Sequence, residues 1–346
     1  MTRVSLKDID RVTRGCLVSI GVPDSSIDII LDTIHYANRR GISTHGVGRL
    51  PLYVKKIKAG HFEADAPIET VTDFGAMAIL DGNNGFGQIV AYKAMKTAIS
   101  KAKEFGVSVV GVRNSNNFGT AGYYGNMATE AGMAAIIFAN AAPAIAPTGG
   151  TKPIFGTNPM CYAFPGSEAQ NPVILDMATT VVARGKIRLA AKNGEKIPLT
   201  WAVDADGNPT DDPKEALKGT LCPIAGHKGY GISAFIDLFA GLLTGSASTG
   251  GVKPLSDMTE NSGNGHLFVV IDVSRFMTND ELAEKMSVFY KAVKYCGEED
   301  RVLLPGERGF IQMKKNVDSV EIPDKQLQEI NALAESLGVD VRLKEM

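Results

Sequence analysis

Cysteine and unbalanced charge are both scarce in this chain, and each scarcity removes a class of function. The 346 residues include four cysteines, Cys16, Cys161, Cys222 and Cys296. They lie too far apart in sequence to form a close metal-type pair or a disulfide framework, so reduced thiols in a cytoplasmic protein are expected. The five histidines, at positions 35, 45, 61, 227 and 266, are equally scattered, and no structural metal site is expected from them. The formal net charge is only −2, so there is no basic excess to draw the chain to nucleic acid or to an anionic membrane. Long apolar runs are also missing. The longest uncharged stretch, 131–151, is broken by Asn140, Pro143, Pro147, Gly149 and Gly150, so it reads as a buried strand and a loop, not a membrane span. Arg3, Lys7, Asp8 and Asp10 stand where an export signal needs an apolar core, and no such signal is expected.

What is present is ample core material, 44% hydrophobic residues with 21% charged ones, as in an ordinary globular protein of one large or two modest domains. The first fifty-odd residues read as an all-helical unit. Ser5 and Asp8 resemble a capping box ahead of Ile9, Val12, Cys16, Leu17 and Ile20 at helical spacing. A second helix opens near Asp24–Ser26, and a third is expected from about Thr44 towards Lys58.

From about Ala76 the pattern changes to short β-rich runs alternating with amphipathic helices. Strands are expected at 76–80, 107–112, 134–138, 160–164, 173–175 and 266–271. Helices are expected at 88–103, 120–131, 180–191, 229–243 and 279–293. A last helix, 324–337, matches the N-terminal helices in composition and is expected to pack on them. The Gly-, Ser- and Thr-rich span 245–265 reads as a long mobile loop.

Among the motifs, 82–87 reads GNNGFG after a strand and before a helix, yet the third position of a dinucleotide fingerprint falls on Val90, so a plain strand-to-helix turn is expected. If a helix starts at Thr44, His45, Arg49 and Tyr53 fall at i, i+4 and i+8, aligning a proton carrier, a carboxylate-binding fork and a phenol; Pro51 weighs against a regular helix there. Small polar and glycine clusters recur at 114–119, 147–150, 155–159 and 226–231. Their number suggests a cradle in which backbone N–H groups and Lys228 meet phosphate, although each alone is an ordinary turn. Asp176 ends a strand, where it can meet a ligand hydroxyl or cap a helix.

Taken in order, STHGVGRLPLY, NSNNFGTAGYYG, PTGGTKPIFGTNP, LDMATT, WAVDADGNPT and GHKGYG resemble the non-classical malate/L-lactate dehydrogenase family. That family also contains sulfolactate and ureidoglycolate dehydrogenases and diketogulonate and piperideine-carboxylate reductases. The resemblance implies a non-Rossmann, mixed-sheet α/β domain binding NAD or NADP (73–299), and a helical domain built from both chain ends (1–72 and 300–346). It implies a homodimer, a small 2-keto or 2-hydroxy acid as substrate, and no metal.

By the same resemblance His45 would pass the proton, while Arg49, Tyr53, Thr44, Thr157 and Asn158 would hold the substrate. Asn140, Asp176, Met177, Ala178, His227, Lys228, Gly306, Glu307 and Arg308 would meet the cofactor. Many members carry histidine where this chain has Asn117, and an amide orients a carbonyl but exchanges no proton near neutral pH. Reduction of a cyclic imine and dinucleotide binding without turnover stay open as alternatives.

Overall fold

A computed structural model describes residues 1–298 and 301–346; the expected domain boundary between 299 and 300 lies outside the described residues. The chain runs β1 (Thr2–Ser5), α1 (Leu6–Val18), α2 (Asp24–Arg39), a 3₁₀ turn (Val47–Arg49) and α3 (Leu50–Lys58). There follow β2 (Glu69–Phe74), β3 (Met77–Asp81), α4 (Gly87–Phe105), β4 (Val107–Ser115), α5 (Ala121–Glu130), β5 (Met133–Ala139), β6 (Met160–Phe164) and β7 (Val173–Met177). Next come α6 (Arg184–Asn193), β8 (Ala202–Val203), α7 (Pro213–Lys218), β9 (Thr220–Leu221), α8 (His227–Ile236) and a π-helical turn (Asp237–Leu242). The chain closes with β10 (Asn264–Asp272), α9 (Asn279–Lys294), α10 (Glu307–Lys315), β11 (Ser319–Ile322) and α11 (Asp324–Ser336).

The main sheet has seven strands in the order β2-β3-β4-β10-β5-β6-β7. Only β3 and β4, joined through α4, are parallel; every other neighbouring pair is antiparallel. This is a mixed sheet, not the doubly wound parallel sheet of a Rossmann domain. Helices α4 and α5 cover one face, where Val90, Ala94, Ala98, Tyr124 and Ala128 pack on Val110, Val112, Ile137 and Phe268. The π-helical turn after α8 lies on the other, with Ile236 and Ala240 against Met160.

The two chain ends meet in a separate core. β1 pairs antiparallel with β11, and Val4, Ile9, Leu17, Ile30 and Tyr53 share one hydrophobic cluster with Val320, Ile322, Ile330 and Ala334. The N-terminal region is therefore not all-helical. Thr2–Ser5 is a strand because its partner arrives from the far end of the chain, and four residues carry no local pattern that announces it. Ser5 does cap α1, but its Oγ accepts from Lys7 N–H at 3.1 Å, without the reciprocal bond of a capping box. β2 escaped the sequence pattern because it is exposed on both faces, so no apolar alternation marks it. The span 245–265 contains no helix or strand before β10, yet it is tied down: Ser246 Oγ donates to Gly263 O at 2.8 Å and Asn140 Nδ2 to Ala247 O at 2.6 Å.

Candidate active site

The segment from Thr44 to Tyr53 is not one helix. Pro51 lacks an N–H and sits in the first turn of α3, so the helix opens only at Leu50, and His45 stands in the turn before the 3₁₀ segment. That turn is held by Asn38, whose Oδ1 accepts from Val47 N–H at 3.2 Å. A Cβ at position 46 would lie 1.8 Å from the same oxygen, which is why glycine follows the histidine. Thr44 Oγ1 is 2.9 Å from His45 Nδ1, and Arg49 Nε donates back to Thr44 O. A threonine, an imidazole and a guanidinium are thus locked together without a helix to space them.

His45 is half-buried, and burial, followed by the positive charge of Arg49, pushes its pKa down to about 3. Burial also lowers the Arg49 pKa; Tyr53 opposes that shift, and the charge of Arg188 adds to it. Among the described residues Arg49 has no carboxylate partner. A half-buried cation without a counter-ion is partly desolvated, and an anionic ligand would offset that cost.

Asn117, two residues past the end of β4, is linked to this segment through Tyr53. α4 begins against its backbone, where a Cβ on Gly87 would come within 2.5 Å of Asn117 O. Tyr53 is 1% exposed; it accepts from Gln88 Nε2 at 2.8 Å and donates its hydroxyl to Asn117 Oδ1 at 3.2 Å. Gly119 N–H reaches the same Oδ1 at 3.4 Å. The amide oxygen is therefore engaged, while its Nδ2 has no partner among the described residues and remains available as a donor. Beneath it His266 stacks on Phe118 at 4.5 Å, with Nε2 3.0 Å from Ser115 Oγ.

β7 is the hub for the remaining candidates. Asp176 Oδ2 accepts from Gly122 N–H at 2.7 Å, so the carboxylate caps α5, not the helix that follows it in sequence. Its other oxygen is accessible, and burial by surrounding protein pushes the pKa up to about 6 against the opposing pull of that N–H and of Arg40. Arg40 lies between the rings of Tyr36 and Phe310, 4.2 and 4.0 Å from their centroids. Met177 packs beside Ile224 and Ile236, and Ile224 N–H donates to Thr179 O at 2.9 Å, which brings the start of α8, with exposed His227 and Lys228, to the end of β7. Ala178 is half-buried between them. On the opposite side Ile174 N–H donates to Pro305 O at 3.1 Å, and a Cβ on Gly306 would meet Ile174 O at 2.6 Å, so Gly306 and exposed Arg308 at the start of α10 also border β7.

Three further expected ligands, like Tyr53, have their side chains engaged within the fold. Asn140 is 2% exposed; its Nδ2 donates to Ala247 O, and its Oδ1 accepts from Gly265 N–H at 2.8 Å. Asn158, with no exposed surface, accepts from Ala141 N–H at 2.9 Å and donates to Ser233 O at 2.8 Å. Glu307 is tied to Lys294 and to Leu304 N–H at 2.8 Å. In each case the side chain ties neighbouring segments of the fold together. Thr157 differs: its carbonyl accepts from Thr179 N–H and Oγ1, and its half-buried hydroxyl has no partner among the described residues.

Asn38, Gln88, Arg40 and Arg188 were not singled out from the sequence, where nothing local distinguishes them from other polar residues of helices. Among the described residues no cluster of three His, Cys, Asp or Glu side chains is placed to hold a metal ion, and all four cysteines are free. Nor is any described helix long and apolar enough to cross a membrane.

A family model described as malate/L-lactate dehydrogenase matches residues 4–331. The chain is 39% identical over 345 residues to L-sulfolactate dehydrogenase of Methanothermobacter thermautotrophicus, covering 99% of this chain and 100% of that one. It is 38% identical over 336 residues to malate dehydrogenase of Pyrococcus horikoshii, covering 94% and 92% of the two chains. Among solved structures, sulfolactate dehydrogenase from Methanocaldococcus jannaschii superposes with a TM-score of 0.91 at 36% identity, over 98% of both chains. With the mixed sheet and the ordered motifs, these matches establish that the chain belongs to the malate/L-lactate dehydrogenase family.

Proposed function

We propose that this protein interconverts a small 2-keto acid and its 2-hydroxy acid with NAD or NADP, using His45 as the proton carrier and Arg49 as the carboxylate site. One observation carries the reading: the His45 imidazole, tethered by Thr44 and held from protonation by burial and by Arg49, sits beside a half-buried guanidinium that has no acidic partner among the described residues. Lys228 and Arg308, exposed at the starts of α8 and α10, and the accessible oxygen of Asp176 suit the phosphates and a ribose hydroxyl of a dinucleotide laid along β7. When bound, the nicotinamide supplies or accepts hydride at the substrate's C2.

The chain's own residues do the rest. Arg49 pairs with the carboxylate and fixes which carbon is presented. That pairing offsets the smaller of the two effects that lower the His45 pKa, the charge of Arg49, while burial, the larger, persists, so the imidazole takes up a proton more readily with substrate in place. If Thr44 Oγ1 accepts from Nδ1–H, Nε2 keeps its lone pair to receive the hydroxyl proton during oxidation and returns it to the carbonyl oxygen during reduction. Asn117 Nδ2–H donates to that same oxygen as charge develops, while Tyr53 and Gln88 hold the amide in orientation.

Two further parts belong to this reading. The expected boundary at 72/73 falls inside β2 of the main sheet; the chain-end unit that carries His45 and Arg49, with its β1–β11 pair, packs against a cofactor-binding domain built on the seven-stranded sheet from Glu69 onward. A second copy of the chain covers the apolar face of Tyr162, Phe235, Phe239 and Leu242, where Phe235 and Leu242 are 62% and 61% exposed. Charge substitution at Leu242 should then yield a monomer in sedimentation, and an unchanged dimer would place the interface elsewhere.

The test of the activity is a panel of malate/oxaloacetate, lactate/pyruvate, sulfolactate and a cyclic imino acid with NADH and NADPH, followed by nicotinamide absorbance. Turnover of a keto acid supports the reading. Turnover of the imine alone transfers the same residues to imine reduction, and binding of cofactor with no turnover of any substrate overturns it.

A further inference from the structure

Arg40 is 8% exposed, and its buried Nε has no hydrogen-bond partner among the described residues. Two aromatic faces stand where a counter-ion would: the guanidinium carbon lies 4.2 Å from the ring centroid of Tyr36, on α2, and 4.0 Å from that of Phe310, on α10. The stack closes because α10 carries glycine at 309, where a Cβ would lie 2.9 Å from Arg40 Nη1. The far end of α10 is bolted to the same stretch, since Arg39 Nε donates to Asn316 O at 3.1 Å and Asn316 Nδ2 donates to Arg39 O at 3.0 Å. The end of α2 therefore seats the whole of α10, whose start borders β7 through Gly306 and Ile174.

The stack also borders Asp176. A Cβ on Gly122 would lie 3.0 Å from Tyr36 Oη and 3.1 Å from Asp176 Oδ2, so the ring beneath Arg40 and the carboxylate flank one glycine. The other titratable neighbours are Cys161, opposite Asp176 on β6, and Glu130 on α5. His227, Lys228 and Arg308 stand exposed where α8 and α10 begin, and Glu307 is paired with Lys294. The charge that opposes the burial of Asp176 comes from Arg40.

Resting on the reading that a dinucleotide lies along β7, we infer that Arg40 is a positioning residue for the cofactor: its stack fixes the Asp176 carboxylate as the acceptor for a ribose hydroxyl and seats the start of α10 beside it. A carboxylate accepts from a hydroxyl more strongly than the neutral acid does, so cofactor affinity should fall as pH drops through the Asp176 pKa of about 6. Removing the Arg40 charge raises that pKa and moves the fall to higher pH.

The experiment titrates NADH and NADPH by calorimetry, without substrate and across the acid to neutral range, into wild type, Arg40→Met, Arg40→Lys, Phe310→Leu and Asp176→Asn, with kcat at saturating cofactor measured in parallel. Arg40→Met should raise Kd roughly 10-fold at neutral pH and move the acid fall in affinity to higher pH, while kcat changes little. Arg40→Lys should restore the pH dependence, because the charge returns, but only part of the affinity, because an ammonium does not stack as a planar fork does. Phe310→Leu should weaken binding and keep the wild-type pH dependence. Asp176→Asn should lose the acid fall, which separates that carboxylate from His227. Unchanged affinity in Arg40→Met, or a loss with an unmoved acid limb, overturns the assignment; if the latter loss shrinks with salt, Arg40 is a phosphate contact instead. Should Arg40→Met not fold, wild-type affinity in both Arg40→Lys and Phe310→Leu overturns it. Wild type that binds the cofactor alongside variants that bind it identically sinks this inference alone, whereas wild type that binds neither dinucleotide removes the reading of β7 and this one with it.

Discussion

His45 and His266 are both pushed down to about 3 by burial, yet they stand in opposite kinds of surroundings. His266 is 1% exposed, stacked on Phe118, and belongs to the floor beneath Asn117. His45 is half-buried in a turn, tethered at one ring nitrogen by Thr44 and next to an unpaired arginine. The asparagines divide the same way, since Asn117 keeps a free donor while Asn140 and Asn158 have both amide ends engaged inside the fold. A perturbed pKa or a polar residue in a glycine-rich stretch is therefore not enough to mark a site. What separates ligand from strut is whether a polar atom remains both accessible and unpaired.

The sharpest way to break that division is His45→Ala, which should cut turnover by about 10²–10⁴-fold, whereas His266→Phe should leave turnover per folded molecule nearly intact. Equal losses in both would mean that access does not distinguish them. Arg49→Gln should lower kcat/KM roughly 10- to 100-fold, chiefly through KM, and weaken every carboxylate substrate alike. Asn140→Ala and Asn158→Ala should each cost roughly 1–3 kcal/mol in denaturant unfolding, because a buried partner is left unsatisfied, with little change in kcat or in cofactor KM. A raised cofactor KM at normal stability would return Asn140 to the cofactor site.

The smallest expected effect is on pH-dependent stability. Both histidines bind protons less readily folded than at their ordinary value of 6.5, so between about 6.5 and 3 the unfolded chain holds more protons and stability falls as pH drops. Asp176 has the opposite sign, since its raised pKa makes stability fall as pH rises from 3.8 to about 6. Melting curves of wild type and His266→Phe across this range should show a shallower acid limb in the variant, and superimposable limbs would remove His266 from the account.

Much of the sheet was legible in the sequence, because strands such as Met160–Phe164 and helices such as Asn279–Lys294 carry their own apolar periodicity and caps. β1 and β11 were not, because each is four residues long and is stabilised by a partner at the other end of the chain. The chemistry of His45, Arg49 and Asn117 was visible as residue types in one motif or another. Their arrangement was not, since it depends on Pro51 delaying the helix and on Tyr53 and Gln88 orienting an amide from different elements. The engagement of Asn140 and Asn158 within the fold was not legible, because a motif records which residue stands at a position and not what its side chain already binds.

The pairing of imidazole with guanidinium is tested most directly by following the His45 ring nitrogens by NMR as pH is lowered, with and without a bound carboxylate substrate. Substrate should raise the imidazole pKa above about 3 in wild type by offsetting the charge of Arg49, with burial still holding it below the ordinary value, and should raise it less in Arg49→Gln. A pKa that is unmoved by substrate, or that moves equally without the arginine, would contradict the mechanism.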